Sequence, residues 1–90
     1  MTKTDLVEEI AERTELSKAD ADRALTAVLE TISTALSRGQ SVQITGFGTF
    51  EVRDRAARKA RNPQTGEEID VPATQVPAFR AGKSLKDVVK

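Results

Sequence analysis

Five cations stand close together in this chain: Arg53, Arg55, Arg58, Lys59 and Arg61, interrupted by one acid, Asp54. Alternate residues of an extended chain lie about 6.6 Å apart, close to the spacing of successive phosphates along one nucleic-acid strand. The planar fork of arginine suits a pair of phosphate oxygens. One chemistry for the series is therefore phosphate tracking; the other is a solvated edge strand whose charges discourage aggregation. Directly after it comes Asn62-Pro63-Gln64-Thr65-Gly66, a turn signal in which Pro63 presets φ and Gly66 permits the reversal, and then "EEID". Pro63 is at least a turn former. On a sharper reading, a rigid apolar ring at the tip of a cationic arm is a wedge able to part base pairs, a device of minor-groove proteins.

Little else in the sequence can do chemistry. Cysteine and histidine are absent, which excludes disulfides, thiolate nucleophiles, imidazole bases and the usual zinc sites. No metal, cofactor, small-molecule substrate or enzymatic activity is expected. "TGFGTFE" contains Gly-x-Gly, but Glu51 stands where a dinucleotide fingerprint needs its third glycine, so a tight hairpin turn explains the glycines. Glu8 and Glu12 lie one helical turn apart with nothing else catalytic nearby, which reads as a solvated helix face.

The elements that carry the arm follow from periodicity. Leu6, Val7, Ile10 and Ala11 recur at helical spacing and predict a helix over 3–14. Ser17, with Asp20 three residues on, forms a capping-box-like start for a second helix over 18–37, ended by Gly39. Its apolar positions from Ala21 to Leu36 span more than one narrow stripe, so it should pack on two sides. From Ser41 the period changes to two. Val42 and Ile44, then Phe50 and Val52, predict a hairpin turning at Gly46-Phe47-Gly48. Continuing the alternation puts Arg53, Arg55, Lys59 and Arg61 on one face with Arg58 opposite, while the apolar face loses its large residues, so residues 55–61 should project from the core. "EEIDVPA" returns, with Pro72 admissible only at an edge or bulge. "TQVPAF" rejoins the sheet, and Leu85, Val88 and Val89 predict a short closing helix.

Ninety residues make one small domain whose core must be aliphatic with Phe47, Phe50 and Phe79 as its aromatic anchors. Sharing that core between two chains is a natural remedy for small size. The 14 cations and 14 acids cancel, yet residues 1–40 hold five cations against eight acids and residues 41–90 nine against six. No apolar run is long enough to cross a bilayer and the acidic start is unlike a signal peptide, so a cytoplasmic location is expected.

The motifs "ELSKADADRAL", "VQITGFGTFEVR", "RNPQTGEEI" and "VPAFRAGKSLKDVVK" together resemble the bacterial HU histone-like DNA-binding proteins over the whole chain. The resemblance implies an α+β fold in an intertwined homodimer: a helical base of two N-terminal helices (1–40), a three-stranded antiparallel sheet (41–82) with a long β-ribbon arm over about 55–74, and a short C-terminal helix (83–90). It implies largely sequence-independent minor-groove binding of double-stranded DNA, favouring bent or distorted sites, with bending by proline intercalation and compaction of the nucleoid. Carried over by position, Arg53, Arg55, Arg58, Lys59 and Arg61 would be arm contacts, Asn62 a tip contact and Pro63 the wedge. Lys3, Arg80, Lys83 and Lys86 would meet phosphates on the body, and Leu29, Ile32, Leu36, Ile44, Phe47, Phe50 and Phe79 would form the dimer core. This chain departs from lysine-rich members at Glu67 and Asp70. If the turn places Arg61 opposite Glu68 and Lys59 opposite Asp70, acids compete with DNA for two of the arm cations. Two rivals stay open: a sequence-preferring heterodimer subunit like integration host factor, and a dimeric protein-interaction module.

Overall fold

Thr2 closes the start of the first helix. In a computed structural model that describes residues 1–90, the Asp5 amide donates to Thr2 Oγ1 at 3.4 Å while the Thr2 amide donates to Asp5 Oδ2 at 2.9 Å, a reciprocal cap that satisfies otherwise orphaned donors. Helix α1 runs Lys3–Thr14 and α2 Lys18–Ser37, matching both expected spans. Ser17 Oγ accepts from the Asp20 amide at 3.1 Å, the expected start of α2. Between the helices Glu15 holds a left-handed backbone, φ 61°. Lys3 Nζ reaches Asp22 Oδ1 at 3.8 Å and Thr26 Oγ1 at 3.1 Å, and Lys18 Nζ reaches Glu8 Oε1 at 3.8 Å, so polar contacts link the two helices around buried Val7 and Ala21.

The chain divides into two compact units, Met1–Thr34 and Ala35–Lys90. The boundary falls inside α2, whose last turn accepts hydrogen bonds from the loop that follows. Gly39 (φ 74°) donates to the Leu36 carbonyl at 3.0 Å and Gln40 to the Ala35 carbonyl at 2.9 Å, a Schellman closure.

The second unit holds β1 (Val42–Ile44), β2 (Gly48–Arg55), β3 (Arg58–Arg61), β4 (Glu68–Val71), β5 (Thr74–Ala81) and α3 (Lys83–Val89). Strands β1, β2 and β5 form an antiparallel sheet in the order β1-β2-β5; β3 and β4 pair only with each other. Phe50 lies opposite Phe79, their ring centroids 4.8 Å apart, and Phe47 packs on Phe79 at 5.5 Å with the rings tilted by 50°. Pro77 falls on β5, an edge strand, where a missing amide donor is tolerated.

Two expectations need correction. The first hairpin turns over Thr45-Gly46-Phe47, with Gly46 at φ 82° and the Phe47 amide bonded to the Ile44 carbonyl at 2.9 Å. Gly48 is already the first residue of β2 and has no positive φ. It is needed for space: a Cβ there would lie 2.5 Å from the Phe79 ring and 2.6 Å from the Arg80 carbonyl oxygen. Secondly, the alternation does not run unbroken from Val52 to Arg61. Ala56-Ala57 on one strand and Pro72-Ala73 on the other stand outside any ladder, since Pro72 cannot donate to a ladder and no large apolar residue anchors the alanines. The pairing nevertheless keeps its offset across the gap, with Arg55↔Thr74 on one side and Arg58↔Val71 on the other, so the expected alternation is interrupted without a slip.

Candidate nucleic-acid interface

The ribbon is built from its tip. The Asn62 amide donates to the Glu67 carbonyl at 2.8 Å and the Gly66 amide to the Asn62 carbonyl at 2.7 Å. Asn62 Oδ1 accepts from the Gln64 amide at 2.9 Å, an Asx turn that bridges Pro63. Gly66 makes the reversal at φ 74°. Pro63 is thus presented at the exposed end of the ribbon, and Asn62 is its structural support.

The closed loop sets the register as Arg58↔Val71, Lys59↔Asp70, Ala60↔Ile69 and Arg61↔Glu68, the two charged pairings expected from the turn. Opposite residues share a face, so the ribbon has a charged face of Lys59, Arg61, Glu68 and Asp70 and a second of Arg58, Ala60, Ile69 and Val71. On the charged face the ion pair that forms is diagonal, Lys59 Nζ to Glu68 Oε2 at 3.7 Å. Arg61 stays unpaired, as does Arg58 on the face where Ile69 is exposed.

Across the chain the cations fall into two groups. Lys3, Arg13, Lys18 and Arg23, all those of the first unit, are ion-paired. The second unit pairs only Arg53, Lys59 and Lys90; Arg55, Arg58 and Arg61 on the arm, Arg80 on β5, and Lys83 and Lys86 on α3 make no ion pair. The expected set therefore splits. Six of its cations are free for an anion, whereas Lys3, Arg53 and Lys59 already hold carboxylates. Arg38, just past α2, is also unpaired and was not singled out from the sequence, where a lone cation beyond a helix carries no pattern. Asp54, the acid inside the cationic series, is engaged by Gln75 Nε2 at 3.0 Å across the sheet. Such a surface can neutralise several phosphates along an extended path and present an apolar ring at one end.

The chain matches, over residues 1–90, the family model for bacterial DNA-binding proteins. It is 60% identical over 90 residues to the DNA-binding protein HU of Staphylococcus aureus, covering all of both chains, and 62% identical over 89 residues to a DNA-binding protein HU-1 of Halalkalibacterium halodurans, covering 99% of each. Among solved structures it is similar to the Anabaena HU chain of an HU-DNA cocrystal, at TM-score 0.94 and 50% identity over 99% of this chain and 97% of that one. It is also similar to HU from Thermotoga maritima, at TM-score 0.73 and 36% identity over the full length of both.

Proposed function

The chain belongs to the bacterial DNA-binding protein family, with relatives named HU, and from that premise we propose that it is an architectural, largely sequence-neutral binder of double-stranded DNA. Its ribbon enters the minor groove, Pro63 wedges between base pairs to bend the duplex, and the protein compacts DNA in the cytoplasmic nucleoid. The observation that carries this reading is the ribbon itself: unpaired Arg58 and Arg61 lead to a tip where Asn62 accepts from the Gln64 and Gly66 amides and donates to the Glu67 carbonyl, closing the turn that carries exposed Pro63. The Anabaena relative, solved with DNA, supports it. Arg55, Arg80, Lys83 and Lys86 extend the phosphate contacts beyond the ribbon, and Lys3 and Lys59 join once they release Asp22 and Glu68.

The working form is a homodimer. Val7 and Ala21 are the only buried apolar residues of the chain, while Leu29, Ile44, Phe47 and Phe79 are exposed at 45%, 39%, 45% and 39%. So small a covered core does not stabilise a lone domain. A second chain covering these residues, with Ile32, Leu36 and Phe50, supplies it.

Gel shifts on linear, nicked and cruciform duplexes at several salt concentrations test the function. We expect binding to all, tighter to the nicked and cruciform forms, and weaker as salt rises. Tight binding confined to one sequence would indicate a subunit like integration host factor, and no binding at low salt an interaction module. For the wedge, Pro63→Ala should keep most of the affinity and reduce the bend, read by energy transfer between duplex ends. An unaltered bend would leave the proline as a turn former only.

A further inference from the structure

The sheet has one apolar face and one polar face, and the polar face holds a single acid. Register places Gln43 with Thr49, Thr49 with Arg80, Glu51 with Ala78, Arg53 with Val76 and Arg55 with Thr74. Directly opposed residues point the same way and alternate residues share a face, so Arg53, Arg55 and Arg80 lie together. Glu51 is the only carboxylate among them. Asp54 belongs to the other face, opposite Gln75.

Glu51 Oε1 accepts from Arg53 Nε at 3.1 Å and from Nη2 at 3.0 Å. The other ion pairs of the chain span 3.5 to 4.0 Å with both partners more than half exposed; here the Glu51 side chain is 25% exposed and that of Arg53 53%. Shielding from water strengthens the attraction. Two donors on one oxygen also occupy the Nε–Nη2 edge, one of the two edges that arginine can offer to a phosphate. The neighbouring Arg55 and Arg80 have no such acceptor.

We propose that Glu51 is a positioning residue that acts as an internal stand-in for phosphate, withholding Arg53 from DNA and lowering the affinity of the sheet face. This rests on the DNA-binding reading above. Arg55 and Arg80 then carry the phosphate contacts of that face, and the charge of Arg53 is cancelled in place.

The test is Glu51→Gln, with binding to one linear duplex measured as a function of salt. Glutamine keeps an acceptor in the same position and removes only the charge, so a merely structural role leaves the salt dependence unaltered. Freeing Arg53 should raise affinity and steepen the slope of log K against log salt by about 0.9 for each arm in contact. Adding Arg53→Gln to Glu51→Gln should abolish that gain. The inference is overturned if the native protein binds and Glu51→Gln has the same slope, or if the gain survives in the double variant. Nitrogen NMR of the protein without DNA examines the contact by itself: the Arg53 Nε–H should exchange with solvent more slowly than those of Arg55 and Arg80. Equal rates would overturn the inference whatever becomes of DNA binding, whereas loss of all binding with Arg53 protected would fault only the functional reading.

Discussion

Glu15 and Gly48 show how a side chain can be the wrong or the only choice for reasons of backbone and space. Glu15 caps α1 at φ 61°, a region that costs an L-residue about 1–2 kcal/mol. Glycine adopts it without strain but loses roughly 0.5–1 kcal/mol more chain entropy on folding. Glu15→Gly should therefore stabilise by about 0.5–1 kcal/mol and raise the melting temperature by several degrees, measured by thermal unfolding at fixed protein concentration. A lower melting temperature would show that the Glu15 side chain supports the junction. Neither demand was legible in the sequence. "TELSKAD" announces a helix start and not the handedness of the residue before it. "GFG" suggests two turn glycines, whereas Gly48 is held by the ring of Phe79, far along the chain.

At the scale of the element, the ribbon is where charge would compete with the proposed DNA binding. Glu68 and Asp70 face Arg61 and Lys59 in register, and Lys59 is paired to Glu68. An exposed pair of this kind is worth little for stability, yet on the proposed reading it must be undone or bypassed before Lys59 meets a phosphate. Replacing Glu68 and Asp70 by lysine should tighten binding and steepen the salt dependence by as much as about 0.9 per phosphate gained; a slope equal to that of the native protein would sink the idea. The register was legible because "NPQTG" fixes the loop, and loop length fixes pairing. The spans of α1 and α2 were legible because the helical period held through both and Ser17 and Gly39 marked the ends of α2. Side-chain partners were not: the diagonal Lys59 contact and the Glu51–Arg53 bond depend on reach and local cover, which spacing does not encode. The break at Ala56-Ala57 was hidden because cations continue on both sides of it and two alanines carry no period of their own.

For the whole molecule, a net charge of zero conceals a division that follows the two units. The paired cations of Met1–Thr34 leave its acids in excess, and every unpaired cation lies in Ala35–Lys90. Composition alone argues against a polyanion partner; the distribution argues for one. In the proposed homodimer the apolar residues exposed in both units would make folding and association a single process, so the melting temperature should rise with protein concentration. Scanning calorimetry across a hundredfold range in concentration checks this, and a constant value would mean that the lone chain is stable as it stands. The paired interruptions at Ala56-Ala57 and Pro72-Ala73 have a consequence of a different kind. A one-residue slip within a ladder turns every later side chain to the opposite face, but here the ladder ends before the sheet begins. An insertion or deletion within the ribbon is expected to be absorbed at that joint without reversing Phe50 or Phe79, so that the arm can change in length while the sheet stays fixed.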